Sequence, residues 1–335
     1  MNHIVEILAT VFFLVGAVGN CVDLYILYKT ARRRNRKHVL LLRFLAVNDL
    51  MAQLGMLLLI HLKNDVLPEY WSCVGFVLIR AFGLGSGCVA LVMALDRWFA
   101  LTRPFCYHKV VSYKILKRFL FCLWLTAVTL TYLPLFGFGL YYDPDAAPEK
   151  EICSRFRYAV EVKDIVYAFL FFGFGMTLCI CIAVFNSAVI WELLRIRSQG
   201  KLLVRRVSRS IINNGMGCSR YQTPEEEAFA NLMAIICVIF LGCWIPQLVA
   251  VPIAQFLPQT QATVTFTKIA DVLLVVYFTL NPFVYVLRNY IERRFVLPSC
   301  FFKRSTNSLH TTTTTVETPT SVLLNPQPFH ISINK

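Results

Sequence analysis

Seven stretches of this chain stay apolar for about 20 residues or more, the length a helix needs to cross roughly 30 Å of hydrocarbon. They cover residues 4–28, 38–62, 73–99, 116–140, 164–191 and 265–287, with one more beginning after Glu225-Glu226-Glu227. In hydrocarbon each backbone N–H and C=O needs an internal partner, so a run of this kind is a helix. The chain has 57% hydrophobic and 16% charged residues, which excludes an ordinary soluble domain. The expected fold is therefore all-α, a bundle of seven transmembrane helices.

A net charge of +14 would also suit a nucleic-acid binder. The basic residues, however, gather in alternate loops. Arg32, Arg33, Arg34 and Arg36 follow the first run; Arg103, Lys109 and Lys114 follow the third; Arg195, Arg197, Lys201, Arg205, Arg206 and Arg209 follow the fifth. This is the positive-inside pattern. It predicts a multi-pass protein with its N-terminus outside and its C-terminus cytoplasmic, whose basic surface meets anionic membrane lipids and no nucleic acid. The first run has no cleavage-type ending and reads as a retained anchor.

Residues 288–301 alternate Tyr290, Ile291, Phe295 and Val296 with Arg288, Arg293 and Arg294. They read as a short amphipathic eighth helix on the inner leaflet, with Cys300 a candidate for lipidation. A bundle domain over 1–301 is expected, followed by a disordered, Ser/Thr-rich tail over 302–335.

No catalytic constellation, phosphate-binding glycine loop or zinc-ligand spacing is visible. Most of the twelve cysteines sit inside apolar runs, where Cys is a small hydrophobe. Only Cys73 and Cys153 fall in predicted outer segments. A transporter is the rival class; it predicts broken helices and an internal repeat, and neither is found.

Charged groups in the apolar runs mark function by default, because burying them is costly. Asp49 lies within Leu45-Ala46-Val47-Asn48-Asp49-Leu50, and Asp96-Arg97-Trp98 closes the third run. Gly19-Asn20, Trp124 with Pro134, Cys243-Trp244-Ile245-Pro246 and Asn281-Pro282-Phe283-Val284-Tyr285 complete an ordered set, one motif in each run except the fifth. Over residues 4–301 this set resembles the rhodopsin-like (class A) G-protein-coupled receptors, with Trp98 where they favour Tyr. Leu133-Pro134-Leu135-Phe136-Gly137-Phe138-Gly139-Leu140-Tyr141 and Arg103-Pro104-Phe105-Cys106-Tyr107 resemble the prostanoid (prostaglandin E) receptor group.

The resemblance implies a plasma-membrane receptor, not an enzyme, that binds an extracellular small ligand and activates a heterotrimeric G protein, with a lean to cyclic AMP elevation. It implies a switch in which Arg97 pairs with Asp96 and with Glu226. Trp244, Pro246, Asn281, Pro282 and Tyr285 take part in activation. It implies a disulfide between Cys73 and Cys153, and phosphorylation of the tail by a receptor kinase with recruitment of arrestin. No cofactor is expected beyond a sodium ion at Asp49, Ser86 and Asn281; a purely structural hydrogen-bond cluster is the alternative there.

The ligand is expected to be a prostaglandin-like lipid acid; a peptide or another small ligand is the alternative. Arg80 lies about 25 Å from Arg97 at 1.5 Å per residue, the depth of such receptors' pockets. Either Arg80 or Lys268 would hold the lipid carboxylate above Trp244. Lys268 and Asp271 are three residues apart on one helix face, so they could equally pair with each other.

Overall fold

The structure is a computed structural model and describes residues 3–30, 35–62, 68–143, 153–210 and 224–307. Its helices are α1 (His3–Thr30), α2 (Arg36–Leu62), α3 (Glu69–Thr102), α4 (Pro104–Val110), α5 (Tyr113–Tyr132), α6 (Val162–Ser210), α7 (Pro224–Phe256) and α8 (Gln261–Asn307). Among the described residues there is no strand, and seven helices are long and apolar enough to cross a membrane. The expected all-α bundle is what forms. All of these are long except α4, which carries no span.

The axis of the bundle is α3. Its most apolar window is 72% buried, against 22–44% for the other spans, so α3 is the helix that its neighbours enclose. It packs against α2, α5, α6 and α7, and α1 joins through α2. Each outer helix has two faces set by the 3.6-residue period. On α1, Phe13, Ala17, Asn20, Asp23 and Leu27 are buried, while Val11, Val15, Val18 and Val22 are exposed. The exposed stripe is apolar, as a lipid-facing surface requires.

Three details differ from the expectation. Span four was expected to run as a kinked helix to Leu140. Instead α5 ends at Tyr132, and Leu133–Phe136 form a single 3-10 turn. Proline has no N–H to donate and clashes with the preceding turn. Pro134 is therefore placed in the first positions of the 3-10 turn. Gly137, at φ 84°, reverses the chain in the left-handed region and donates its N–H to the Pro134 carbonyl at 3.0 Å.

The loop after span three is also not irregular. Pro104 opens the seven-residue α4, where its missing N–H would have been unpaired anyway. Finally, α6 extends well beyond the expected 164–191.

Residues 1–289 form one compact unit, and residues 290–335 a second. The expected eighth helical segment, 288–301, is helical and is included within α8. The side chain of Cys300 and the tail from residue 308 lie outside the described residues.

Candidate functional site

Polar residues of the first unit meet at three levels along α3, each built from residues that the helical period turns inward.

The middle level is a hydrogen-bonded ladder across five helices. Asp49 is fully buried; its Oδ1 accepts from Ser86 Oγ at 2.6 Å and its Oδ2 from Asn281 Nδ2 at 2.8 Å. Ser86 in turn accepts from Asn48 Nδ2 at 2.7 Å, and that amide also reaches the Phe82 carbonyl at 2.6 Å. Trp124 Nε1 donates to Asn48 Oδ1 at 3.1 Å, which ties α5 to α2. One turn along α2, Gln53 Oε1 accepts from Asn20 at 3.1 Å, and its Nε2 donates to the Phe278 carbonyl at 2.8 Å.

The ladder joins α1, α2, α3, α5 and α8 through side chains that are buried or half-buried. A buried polar group costs free energy unless bonded, so these residues hold one another in place. Asp49, Ser86 and Asn281 are thus brought together. Beside them lies a small cavity lined by Asn20, Asp23, Asp49, Asn281, Ile236 and Pro282, among others.

Fit to a hard cation can be tested on the donor atoms. Asp49 supplies a buried carboxyl group with both oxygens hydrogen-bonded, to Ser86 and to Asn281. Asn281 Oδ1 is buried and has no hydrogen-bond partner. An unused amide oxygen beside a buried carboxylate suits an oxygen-seeking ion such as sodium.

The second level is the Asp96–Arg97 end. The two side chains form a buried ion pair through Arg97 Nη2 and Asp96 Oδ2. Asp96 Oδ1 accepts from Tyr107 Oη at 2.8 Å, and Arg97 Nη2 also meets Nε2 of His38. Lys37 Nζ stands 4.1 Å from the centre of the Tyr107 ring. The short helix α4 exists to deliver Tyr107 to this point. Trp98 does not join the ion pair; it packs on Phe99 and Phe185. The side chains of Glu226 and Tyr285 lie outside the described residues, so the second half of the expected switch is not described.

The third level is the opposite end, marked by a disulfide between Cys73 of α3 and Cys153. From there the chain lays Arg155, Phe156 and Arg157 over α6 and α7. Asp271 of α8 receives both loop arginines: Arg157 Nη2 lies 2.9 and 2.8 Å from its two oxygens, and Arg155 Nη1 pairs with Oδ2. Gln255 Nε2 fixes the same loop by donating to the carbonyls of Arg157 at 2.9 Å and Ala159 at 3.1 Å.

Arg80 places its guanidinium 4.6 Å from the centre of the Phe156 ring. Its Nη1, and Nε and Nη1 of Arg157, are buried without a hydrogen-bond partner. Arg155 and Arg157 therefore share one carboxylate, an excess of one positive charge. Asp271 pairs with the loop and not with Lys268, which is exposed on α8.

Between these levels, Trp244 is buried and stacks on Phe240 at 5.5 Å. A Cβ at Gly83 would stand 3.0 Å from the Trp244 ring, so a larger residue there would require the ring to give by a few tenths of an ångström. Pro246 lies two residues beyond, about half a turn along α7.

Sequence reasoning missed His38 and Tyr107 beside Arg97, Arg155 and Arg157 beside Asp271, and Asp23 beside Asp49. Only Asp23 carried a usable signal. It follows Asn20 by three residues, hence on the same face of α1.

Comparison with known proteins shows the family and the fold. Residues 19–285 match the family model described as 7 transmembrane receptor (rhodopsin family). The chain is similar to a rhodopsin, GQ-coupled, of Mizuhopecten yessoensis, with 23% identity over 85% of this chain and 57% of that protein. It is similar to the human prostaglandin E2 receptor EP3 subtype, with 29% identity over 38% of this chain and 36% of that one. The chain therefore spans little more than half the length of these relatives at most. Squid rhodopsin shares the fold at a TM-score of 0.66 and 19% identity, over 84% of this chain and 79% of that one. An ordered bundle of seven spans, its polar ladder in the middle and its acid–arginine pair at one end, together with a family match over most of its length, makes this multi-pass membrane protein a member of the rhodopsin family of seven-transmembrane receptors.

Proposed function

We propose that this receptor binds a small lipid acid, prostaglandin-like in chemistry, at the disulfide end and activates a heterotrimeric G protein at the Asp96–Arg97 end. The observation that carries the ligand reading is the excess of cationic groups around Asp271. Arg155 and Arg157 bring two charges against one, and buried guanidinium nitrogens of Arg157 and of Arg80 on α3 lack a hydrogen-bond partner. A buried cation with unused donors favours an anion, and a carboxylate offers planar, two-pronged acceptance that matches a guanidinium. Phe156, Phe171 and Tyr167 lie next to Arg80 and give an apolar wall for a lipid chain. Arg80 and Arg157 are the proposed anchors. Lys268, at the exposed rim, would act on the approach of the acid.

Ligand seating above Trp244 would move α7 about Pro246 and release Arg97 from Asp96. That biases a two-state equilibrium by the difference in ligand affinity between the states. A sodium ion at Asp49, Ser86 and Asn281 would favour the paired state. In this reading the Arg97 end is cytoplasmic, and cyclic AMP elevation is the favoured output.

The similarity to a prostaglandin E2 receptor over part of the chain supports the lipid acid. Matches of comparable strength to rhodopsin and to the alpha-1A adrenergic receptor of Bos taurus show how far ligands diverge within this family. The test is a screen of prostanoids, other lipid acids, peptides and amines on cells expressing the chain. A response to a lipid acid that falls at least tenfold in potency in both Arg80→Met and Arg157→Met is expected. Tenfold is about 1.4 kcal/mol, the low end for a lost charge-assisted contact. A potent amine or peptide agonist with no lipid response would overturn it.

A further inference from the structure

Beside the Asp96–Arg97 pair stands a titratable side chain that the receptor reading above does not use. His38 lies near the start of α2 and is 8% exposed. Its Nε2 meets Arg97 Nη2, the same guanidinium nitrogen that pairs with Asp96 Oδ2. The chemistry of this contact fixes the state of the ring. A guanidinium nitrogen can only donate, so Nε2 is the accepting nitrogen of a neutral imidazole. A protonated imidazole carries N–H on both ring nitrogens and offers no acceptor. Proton uptake therefore turns a hydrogen bond into a meeting of two donors with like charge.

The surroundings give the added charge little relief. On α3, both oxygens of Asp96 are engaged, Oδ2 with Arg97 and Oδ1 with Tyr107 Oη of α4. On α2 itself, Lys37 holds its ammonium group over the Tyr107 ring and donates to the Val111 carbonyl. Lys29 of α1 and Lys114, Lys117 and Arg118 of α5, the other helices packed on α2, are exposed. A charged His38 thus adds a second cation beside the carboxylate that Arg97 uses, with Lys37 a third close by.

We propose that His38 is a proton sensor. Uptake of a proton breaks its contact with Arg97 and shifts the acid–arginine pair toward release, so that signalling rises as the compartment at this end acidifies. The proposal rests on the reading of the Arg97 end as the cytoplasmic switch, and it adds the cytosolic proton as a second input to that switch. A proton binds better to the state in which the two cations are apart, and that difference in affinity biases the equilibrium. Histidine suits the task, because an imidazole changes charge within the physiological range of pH.

The test reads Arg97 directly. The full chain in lipid nanodiscs is treated with phenylglyoxal, which modifies accessible guanidinium groups. Mass spectrometry measures the modification of Arg97 relative to that of Arg103, which is exposed. The ratio removes the reagent's own dependence on pH. Between about pH 8 and about pH 6, the span in which imidazole ordinarily takes up its proton, the wild-type ratio should rise. A rise of about tenfold is expected, well within what two adjacent like charges can supply. His38→Gln keeps an acceptor and cannot take the charge, so its ratio should stay at the alkaline wild-type value. Basal G-protein dissociation, in cells whose cytosolic pH is clamped with an ionophore, should rise on acidification more steeply in the wild type than in His38→Gln at matched surface expression. A wild-type ratio that ignores pH would overturn the proposal. So would a ratio in His38→Gln that follows the wild-type curve or is high at every pH. An Arg97 ratio that behaves as expected, with no basal signal at any pH, would uphold the proton sensor and overturn the G-protein reading of this end.

Discussion

Gly85 gives a test of the ladder that is independent of ligand. A Cβ on this residue would stand 2.5 Å from Trp124 Nε1 and 2.8 Å from Asn48 Oδ1. Neither atom can yield cheaply. The indole is rigid, and Asn48 is held by the Phe82 carbonyl and by Ser86. Gly85→Ala must therefore push apart the Trp124–Asn48 hydrogen bond. Overpacking costs about 1–3 kcal/mol, and a stranded polar group about 1–3 kcal/mol more. Alanine returns about 1 kcal/mol in helix propensity. The net loss is roughly 3 kcal/mol. For chains of 150–250 residues each kcal/mol moves the melting temperature by about 2–4 °C, and by less in a longer chain, so a fall of about 5 °C is expected.

The assay is thermal unfolding of the solubilised receptor, followed by reaction of its buried cysteines with a fluorogenic maleimide. Trp124→Phe removes the nearest clashing atom and the stranded donor, leaving the contact with Asn48 Oδ1. The double variant should then be less damaged than the two single losses combined, by at least about 1 kcal/mol. If Gly85→Ala melts with the wild type, or if the two losses simply add, the hydrogen bond does not hold α3, α2 and α5 together as described.

Two further outcomes follow from the ends of the bundle. Tyr107→Phe removes a 2.8 Å hydrogen bond to the buried Asp96 carboxylate, a contact to a charged group worth about 1.5–3 kcal/mol. If the Asp96–Arg97 pair marks the resting state, ligand-independent signalling should rise about tenfold or more at equal surface expression, and His38→Ala should act in the same direction; unchanged basal signalling in both would remove these residues from the switch. Deleting residues 305–335, with their Thr311–Thr315 run and neighbouring serines, removes hydroxyls for a receptor kinase and should abolish arrestin recruitment while G-protein activation persists; undiminished recruitment would remove the tail from that role.

The fold was legible because the membrane leaves the chain little choice. A run of about 20 apolar residues has one stable form there, and the charged loops set alternate ends. Asp49 could be named for a similar reason, since a carboxylate inside such a run needs partners; Ser86 and Asn281 were named through the resemblance alone. What could not be read were pairings between distant elements. Arg157 lies between spans four and five among eight other charged residues over 141–163, and nothing local selects Asp271, 114 residues on, as its partner. Tyr107 depends on α4, a helix too short to show a clear period. The stop at Tyr132 was missed for a different reason. A proline in a membrane span can kink the helix or end it, and the choice was made by Gly137 three residues later, whose left-handed backbone closes the turn.

The claim on which the functional account depends is that the Asp96–Arg97 end couples to a G protein. It is tested most directly by G-protein dissociation sensors in cells expressing the chain, challenged with the lipid-acid panel and read across the G-protein classes. The account predicts a dose-dependent dissociation signal with the wild type, and none with Arg97→Ala at matched surface expression and intact ligand binding. A full signal from Arg97→Ala, or ligand binding by the wild type with no dissociation in any class, would contradict it.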